Sequence, residues 1–145
     1  MGWSLGGTTV AELARVDSRV KCVALLDPAF DAKIVPELNS MGLQTPFLTM
    51  SDTLPNPSFL PTTAQFTTWS SNLFSLAVTN AVWFRVANAN HPDFSDWSWS
   101  MNAGANTRGA ALAITAGTVW FFDAYLRDQT RPFPTNTEIL DPRTK

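Results

Sequence analysis

Apolar residues occur along the chain in two patterns, as short continuous runs and as segments with helical spacing. The short runs are bounded by turn residues, and their apolar character predicts buried strands. These strands are predicted over residues 19–27, 44–52 and 81–87. The other segments repeat apolar side chains three and four positions apart, which predicts helices. These helices are predicted over residues 8–15, 62–79 and 107–128.

Strands that alternate with helices imply a parallel sheet with helices on both faces, so the predicted fold class is α/β. The 145 residues are enough for one domain with a substantial core. An apolar content of 45% and a mean hydropathy of -0.02 are typical of a globular protein. We assign residues 1–130 to this domain and residues 131–145, a polar segment that contains prolines, to a tail.

Composition excludes several classes of function. The net charge is -2 and no basic run is present, so no nucleic-acid partner is expected. One histidine and one cysteine are too few for the usual zinc site, and we expect neither a metal nor an organic cofactor. The apolar run over residues 110–122 is too short to span a bilayer and predicts a buried helix, with no transmembrane segment.

The first residues contain the most informative motif. Gly2-Trp3-Ser4-Leu5-Gly6 fits G-x-S-x-G, the nucleophile elbow at which a strand turns sharply into a helix. A strained serine at the tip of this turn needs small flanking residues, and glycine has no Cβ to clash. Ser4 would then lie at the positive end of a helix, where the backbone N–H of Leu5 would be one oxyanion donor.

Three further polar residues follow predicted strands, namely Asp27, Asp52 and His91. Because active sites in parallel sheets lie at the carboxyl ends of the strands, we expect these residues to converge with Ser4. His91 is the only histidine, so it is the only imidazole that can take a proton from the serine. A carboxylate that fixes the histidine ring would complete a Ser-His-Asp arrangement.

Three segments together resemble the platelet-activating-factor acetylhydrolase-like branch of the α/β hydrolases. They are residues 2–7, residues 23–27 and residues 91–96. The resemblance covers roughly residues 2–128 and implies a partial α/β-hydrolase fold that starts at the nucleophile elbow. It also implies a serine esterase that cleaves short-chain carboxylic esters, with phospholipid acetyl esters among them, through an acyl-enzyme. Family members typically carry a histidine before the serine, where this chain has Trp3.

The resemblance leaves the acid with two candidates. The acetylhydrolase-like branch places it at Asp27, which we favour, whereas dienelactone-hydrolase-like and cutinase-like esterases place it after the following strand, at Asp52. Trp3 and Trp97 flank the predicted triad, and we expect them to line a pocket for an ester or lipid substrate.

A second hypothesis starts from the short segment before Ser4. A hydrolase fold that lacks its first strands would expose a sheet edge and apolar surface. Such a chain would be catalytically incompetent and would act as an interaction module, form a dimer or need a complementary chain.

Overall fold

The computed structural model describes residues 1–31, 33–55, 62–78, 80–96 and 105–145. The strands are β1 (Gly2–Trp3), β2 (Val23–Leu26), β3 (Phe47–Ser51), β4 (Ala81–Val86) and β5 (Ile139–Thr144). The α-helices are α1 (Leu5–Val16), α2 (Pro36–Met41), α3 (Thr63–Leu76) and α4 (Ala105–Leu126). A short 3-10 helix, His91–Phe94, follows β4.

The strands form one sheet in the order β1-β2-β3-β4-β5. β1 to β4 are parallel neighbours, and β5 runs antiparallel to β4. The register places Trp3 opposite Leu26 and Leu26 opposite Met50. Phe84 continues this row opposite Met50. β1 and β2 both end at this row, so the residues that follow them, Ser4 and Asp27, leave their strands at the same edge of the sheet.

Alternate side chains of the strands enter two separate cores, because successive residues of a strand point to opposite faces. Val23, Leu25 and Trp83 pack with residues of α1, α2 and α3 on one face. Leu26 and Met50 pack with residues of α4 on the other face. Helices thus cover both faces of a mainly parallel sheet, which confirms the predicted α/β fold.

The sequence analysis predicted no helix at α2. This helix has six residues, begins at Pro36 and buries only Leu38. A single buried side chain produces no apolar periodicity, so the pattern contained no signal for it.

β5 lies in the segment that the sequence analysis assigned to a polar tail. It is an exposed edge strand that contains Pro142, a residue that strands tolerate at an edge. Polar side chains hold it against β4: Arg85 pairs with Asp141 at 2.6 Å, and the Arg143 guanidinium lies 4.8 Å from the Trp83 ring centroid. Ile139 packs against the apolar core, whereas the last four residues of β5 are exposed, so the strand shows no apolar alternation in the sequence.

α4 is longer than the apolar run on which our transmembrane argument was based. Among the described residues it is the one helix that is long and apolar enough, by length and composition, to cross a membrane, and an 18-residue window within residues 107–126 has a mean hydropathy of 1.3. The prediction that this segment is too short to span a bilayer is therefore wrong, because the helix continues for 20 residues over 107–126. The helix nevertheless packs on the sheet through Ala110, Ala113 and Phe121, which are fully buried. Core helices of globular proteins pass the same test of length and composition, and 39% of the window is buried inside this structure.

The packing of α4 predicts opposite effects for two of its glycines. A Cβ on Gly117 would lie 2.6 Å from Phe84 Cζ, so we expect Gly117→Ala to lower the free energy of unfolding by about 1–3 kcal/mol. A Cβ on Gly109 would meet only the Glu138 side chain, at 3.2 Å. Gly109→Ala is the matched control and should be neutral or stabilise the helix by up to about 1 kcal/mol. Urea denaturation measures both variants, and equal effects would contradict this packing.

Candidate active site

Ser4 lies at the turn between β1 and α1, with φ 54° and ψ -125°. Non-glycine residues rarely adopt a positive φ, so the backbone is strained here. The Ser4 N–H donates to the Leu26 carbonyl at 3.0 Å, and the Ser4 carbonyl accepts from the N–H groups of Gly7 and Thr8. Hydrogen bonds on both sides thus hold a strand-turn-helix unit with the serine at its tip.

The glycines around Ser4 correct one part of the sequence argument. A Cβ on Gly2 would lie 2.2 Å from the Gly6 carbonyl oxygen, so no larger residue fits between β1 and α1. A Cβ on Gly7 would lie 3.0 Å from both the Gly2 carbonyl oxygen and Pro28 Cβ. A Cβ on Gly6 would meet nothing within 4 Å. The close approach therefore requires glycine at position 2 and is tight at Gly7, whereas packing does not require Gly6.

The side chains of Ser4, Asp27 and His91 meet in the structure. His91 Nε2 lies 2.9 Å from Ser4 Oγ, and His91 Nδ1 lies 2.7 Å from Asp27 Oδ2. Asp27 and His91 are almost completely buried, so water competes little for these contacts. When the Asp27 carboxylate accepts the Nδ1–H, His91 Nε2 is left to accept the Ser4 hydroxyl proton.

The strand register explains why Ser4 and Asp27 lie together. Each residue directly follows a member of the row that contains Trp3 and Leu26. The Asp27 N–H continues the ladder by donating to the Met50 carbonyl at 2.9 Å. Both side chains therefore emerge at the carboxyl edge of the sheet.

The 3-10 helix after β4 brings His91 to the same edge. It begins at His91, and Pro92 lies in its first turn. The Asp93 carboxylate accepts the Asn90 N–H at 2.8 Å, which stabilises the start of this helix. The loop conformation thus presents the imidazole to Ser4 and Asp27 together.

Asp52, the alternative acid, lies beside Asp27. Its backbone N–H donates to Asp27 Oδ1 at 3.1 Å. Its carboxyl oxygen Oδ2 lies 3.1 Å from Thr63 Oγ1, and Oδ1 is buried without a hydrogen-bond partner among the described residues. The carboxyl group that contacts His91 Nδ1 belongs to Asp27.

Asp27 and Asp52 are neighbouring buried carboxyl groups, so ionising both of them at once is unfavourable. Burial raises the pKa of Asp27, while its hydrogen bond and charge interaction with His91 and the Asp52 N–H act in the opposite direction. Burial and the charge of Asp27 raise the pKa of Asp52 to about 7, with the Thr63 contact opposing them. Asp27 has the better hydrogen-bond donors, so the negative charge resides on Asp27 and the proton on Asp52 below about pH 7.

The Thr63 hydroxyl is consistent with a protonated Asp52. Thr63 Oγ1 lies within hydrogen-bond distance of Asp52 Oδ2 and also of the Leu54 carbonyl oxygen, at 3.0 Å. A hydroxyl has only one hydrogen to donate. A neutral Asp52 that donates to Thr63 Oγ1, while Thr63 donates to Leu54, satisfies both contacts.

The other residues predicted for the site are Trp3 and Trp97, expected to line a pocket, and Leu5, expected to supply an oxyanion donor. The Trp3 indole N–H donates to the His91 carbonyl at 2.9 Å, and the two rings lie 5.0 Å apart between centroids. Leu5 is the first residue of α1, where a backbone N–H has no preceding helical carbonyl as a partner. Trp97 lies outside the described residues.

Sequence reasoning missed Phe66, whose ring stacks on the His91 ring with a centroid distance of 4.5 Å and an interplanar angle of 15°. Phe66 belongs to the apolar periodicity that predicted the helix over residues 62–79. That periodicity identifies a core position but cannot identify the imidazole as its neighbour.

A cavity of about 310 Å³ lies between the 3-10 helix and α4. Its lining includes none of Ser4, Asp27 and His91, so we assign it no role in their chemistry. In the parts of the chain that the structure describes, no group of three or more His, Cys, Asp or Glu side chains could hold a metal ion.

No protein family and no curated protein matches the sequence in the comparisons. Among the solved structures that resemble it is a ferulic acid esterase from Streptomyces cinnamoneus, with a TM-score of 0.69 and 20% sequence identity. The match covers 99% of this chain and 45% of the esterase chain, so this chain spans less than half of the length of that protein. At this identity the likeness is one of fold.

The elbow geometry predicts that its glycines differ in tolerance. We expect Gly2→Ala to lower the melting temperature strongly, because its Cβ would collide with backbone atoms of α1. Gly6→Ala is the matched control and should melt at the same temperature or higher, since alanine favours a helix. Thermal unfolding followed by circular dichroism measures both. A Gly6→Ala variant as unstable as Gly2→Ala would contradict the observed packing.

The Asp52 proton predicts how stability depends on pH. The unfolded chain loses this proton near pH 4 and the folded chain near pH 7, so the folded state holds the extra proton between these values. The free energy of unfolding should therefore fall as the pH rises through this window, and Asp52→Asn should remove that part of the fall. Urea denaturation at pH 5 and pH 8 tests this, with the exposed Asp96→Asn as a control. Equal pH dependence in the wild type and Asp52→Asn would contradict the assignment.

Proposed function

We propose that the chain is a serine hydrolase that cleaves carboxylic esters with Ser4, His91 and Asp27. The observation that carries the proposal is the pair of contacts that His91 makes, 2.9 Å to Ser4 Oγ and 2.7 Å to Asp27 Oδ2. A serine, a histidine and a carboxylate in this geometry have the roles of nucleophile, general base and orienting acid. The fold likeness to a ferulic acid esterase is compatible with this chemistry.

The reaction follows from the hydrogen bonds. His91 Nε2 takes the hydroxyl proton while Ser4 Oγ attacks the ester carbonyl carbon. The tetrahedral intermediate collapses to an acyl-enzyme, and the alcohol leaves with the proton that His91 returns. Water then attacks the acyl-enzyme by the same route and releases the acid. Asp27 keeps the His91 ring in the required tautomer and stabilises the imidazolium.

The Leu5 N–H is the proposed oxyanion donor. It lies directly after the nucleophile at the first position of α1, where the helix dipole favours negative charge. An N–H in this position costs no reorganisation when the charge develops. The loss of one such donor typically lowers the rate by about 100- to 1000-fold.

The substrate class of the proposal is a small carboxylic ester. Acetyl esters of phospholipids are the narrower hypothesis, which rests on the sequence resemblance. The name of the structural neighbour adds esters of ferulic acid as a second test substrate. p-Nitrophenyl acetate, methyl ferulate and an acetyl phospholipid therefore form the panel that separates these classes.

A catalytically incompetent chain that binds a partner is the second candidate. β1 has two residues and lies at the edge of the sheet. Apolar side chains on α1 are also exposed, with Leu5 at 56%, Leu13 at 49% and Val16 at 65%. A free sheet edge and exposed apolar side chains favour pairing with a second copy or a complementary chain. Analytical ultracentrifugation, with and without substrate analogues, measures the mass of the particle in solution. A monomer is expected for the enzyme, and a larger assembly for the partner-binding chain.

The nucleophile is tested with a fluorophosphonate probe, which reacts with activated serine hydroxyls. We expect the probe to label the wild type at Ser4, since His91 removes the hydroxyl proton, and to leave Ser4→Ala unlabelled. Ser95→Ala is the matched control for loss of a serine that the proposed mechanism does not use. Peptide mass spectrometry locates the label. Folded wild type that stays unlabelled would favour the partner-binding candidate.

The acid is tested by comparing two isosteric variants. Asp27→Asn removes the carboxylate on His91 Nδ1, so kcat should fall by roughly 10⁴-fold, as expected for the loss of an orienting carboxylate. Asp52→Asn should lower kcat by less than about tenfold, because a protonated carboxyl and an amide are alike in shape and charge. Ester hydrolysis at pH 6, where Asp52 with its pKa of about 7 is mainly protonated, measures both. A larger loss in Asp52→Asn than in Asp27→Asn would reverse the assignment.

A further inference from the structure

Among the residues that the structure describes, Trp3 and Phe66 place aromatic rings against the His91 ring, and they belong to different elements. Trp3 ends β1 and its ring is tilted by 35° to the imidazole at a centroid distance of 5.0 Å. Phe66 belongs to α3 and is stacked on the imidazole at 4.5 Å. Phe66 is 1% exposed, so its ring cannot move away without opening the core.

The proposed reaction places a strict demand on this ring. His91 uses one ring nitrogen toward Ser4 and the other toward Asp27. Rotation about χ2 has broad, roughly two-fold preferences in an isolated histidine, so the bonded orientation is not set by the side chain itself. The stacked ring of Phe66 and the tilted ring of Trp3 restrict that rotation, because a turned imidazole would collide with them.

Trp3 also holds the backbone of His91. Its indole N–H donates to the His91 carbonyl at 2.9 Å. Trp3 directly precedes Ser4, the proposed nucleophile. The end of β1 therefore positions Ser4 and also donates the hydrogen bond that fixes the backbone at His91, the proposed base. A shift of this strand end would move both groups together, which preserves the distance between them.

We propose that Trp3 and Phe66 are positioning residues that hold the His91 imidazole between Ser4 and Asp27. This inference rests on the proposed function. Trp3 acts through its indole N–H and its ring, and Phe66 acts through its ring. This assignment replaces the substrate-lining role that the sequence analysis expected for Trp3. Neither residue needs to contact the ester.

Trp3→Phe removes the indole N–H and keeps an aromatic ring. Misplacing a catalytic group by about 1 Å costs on the order of 100-fold, so we expect kcat for p-nitrophenyl acetate to fall by about 10- to 100-fold with KM within about twofold. Trp120→Phe is the matched control, since the Trp120 N–H also donates to a backbone carbonyl, that of Arg131, at 2.9 Å. It should keep kcat. An increase in KM for Trp3→Phe with kcat unchanged would identify a substrate-lining residue and overturn the proposal.

Phe66→Leu removes the stacked ring and keeps an apolar side chain. Phe74→Leu is its matched control, because Phe74 lies on the same helix, is also buried, and contacts Trp83 with its ring. Both variants lose core packing, but only Phe66→Leu should lower kcat. Equal kcat losses in the two variants would mean that general destabilisation, and not ring positioning, explains the effect.

Proton NMR supplies a readout that does not depend on activity. The chain has a single histidine, so the signal of the Nδ1 proton shared with Asp27 is unambiguous. We expect this signal to broaden or disappear in Trp3→Phe and Phe66→Leu and to persist in Trp120→Phe and Phe74→Leu. A sharp, unshifted signal in the first pair would overturn the proposal. If the wild type hydrolyses no ester, the proposed function fails, and the NMR comparison still tests whether these rings hold His91.

Discussion

The hydrogen-bond register of β1 against β2 is the constraint on which the candidate site depends. It places Gly2 opposite Leu25 and Trp3 opposite Leu26, and the Ser4 N–H continues it by bonding to the Leu26 carbonyl. A slip by one residue would turn every side chain of the strand to the other face of the sheet. Ser4 and Asp27 meet because each is the first residue beyond the same row of the sheet.

Close backbone packing maintains the strained turn that this register produces. The positive φ of Ser4 is unfavourable by itself and persists because the neighbouring contacts leave no alternative. Gly2 and Gly7 allow β1, α1 and Pro28 to approach closely enough to make those contacts. The local cost at the serine is thus offset by packing at residues that take no part in the proposed chemistry.

Burial then determines the electrostatics of the site. Asp27, Asp52 and His91 lie out of contact with solvent, so each polar contact is strong and each missing one is costly. Below about pH 7 the hydrogen-bond donors around Asp27 favour the charge on that carboxyl, and Asp52, with its pKa raised to about 7, keeps its proton. The rings of Trp3 and Phe66 pack against the imidazole, and His91 is 1% exposed.

The sequence by itself determined the main strands and helices, the α/β class and the polar residues at the strand ends, because periodicity and turn residues are local signals. It also singled out Ser4, Asp27 and His91 as candidates, with Asp52 as an alternative. Only the tertiary structure decided which carboxyl contacts His91, since Asp27 and Asp52 follow adjacent parallel strands and differ only in three-dimensional position. The same holds for Trp3, Phe66 and β5, whose contacts join segments far apart in the chain and follow no repeating pattern.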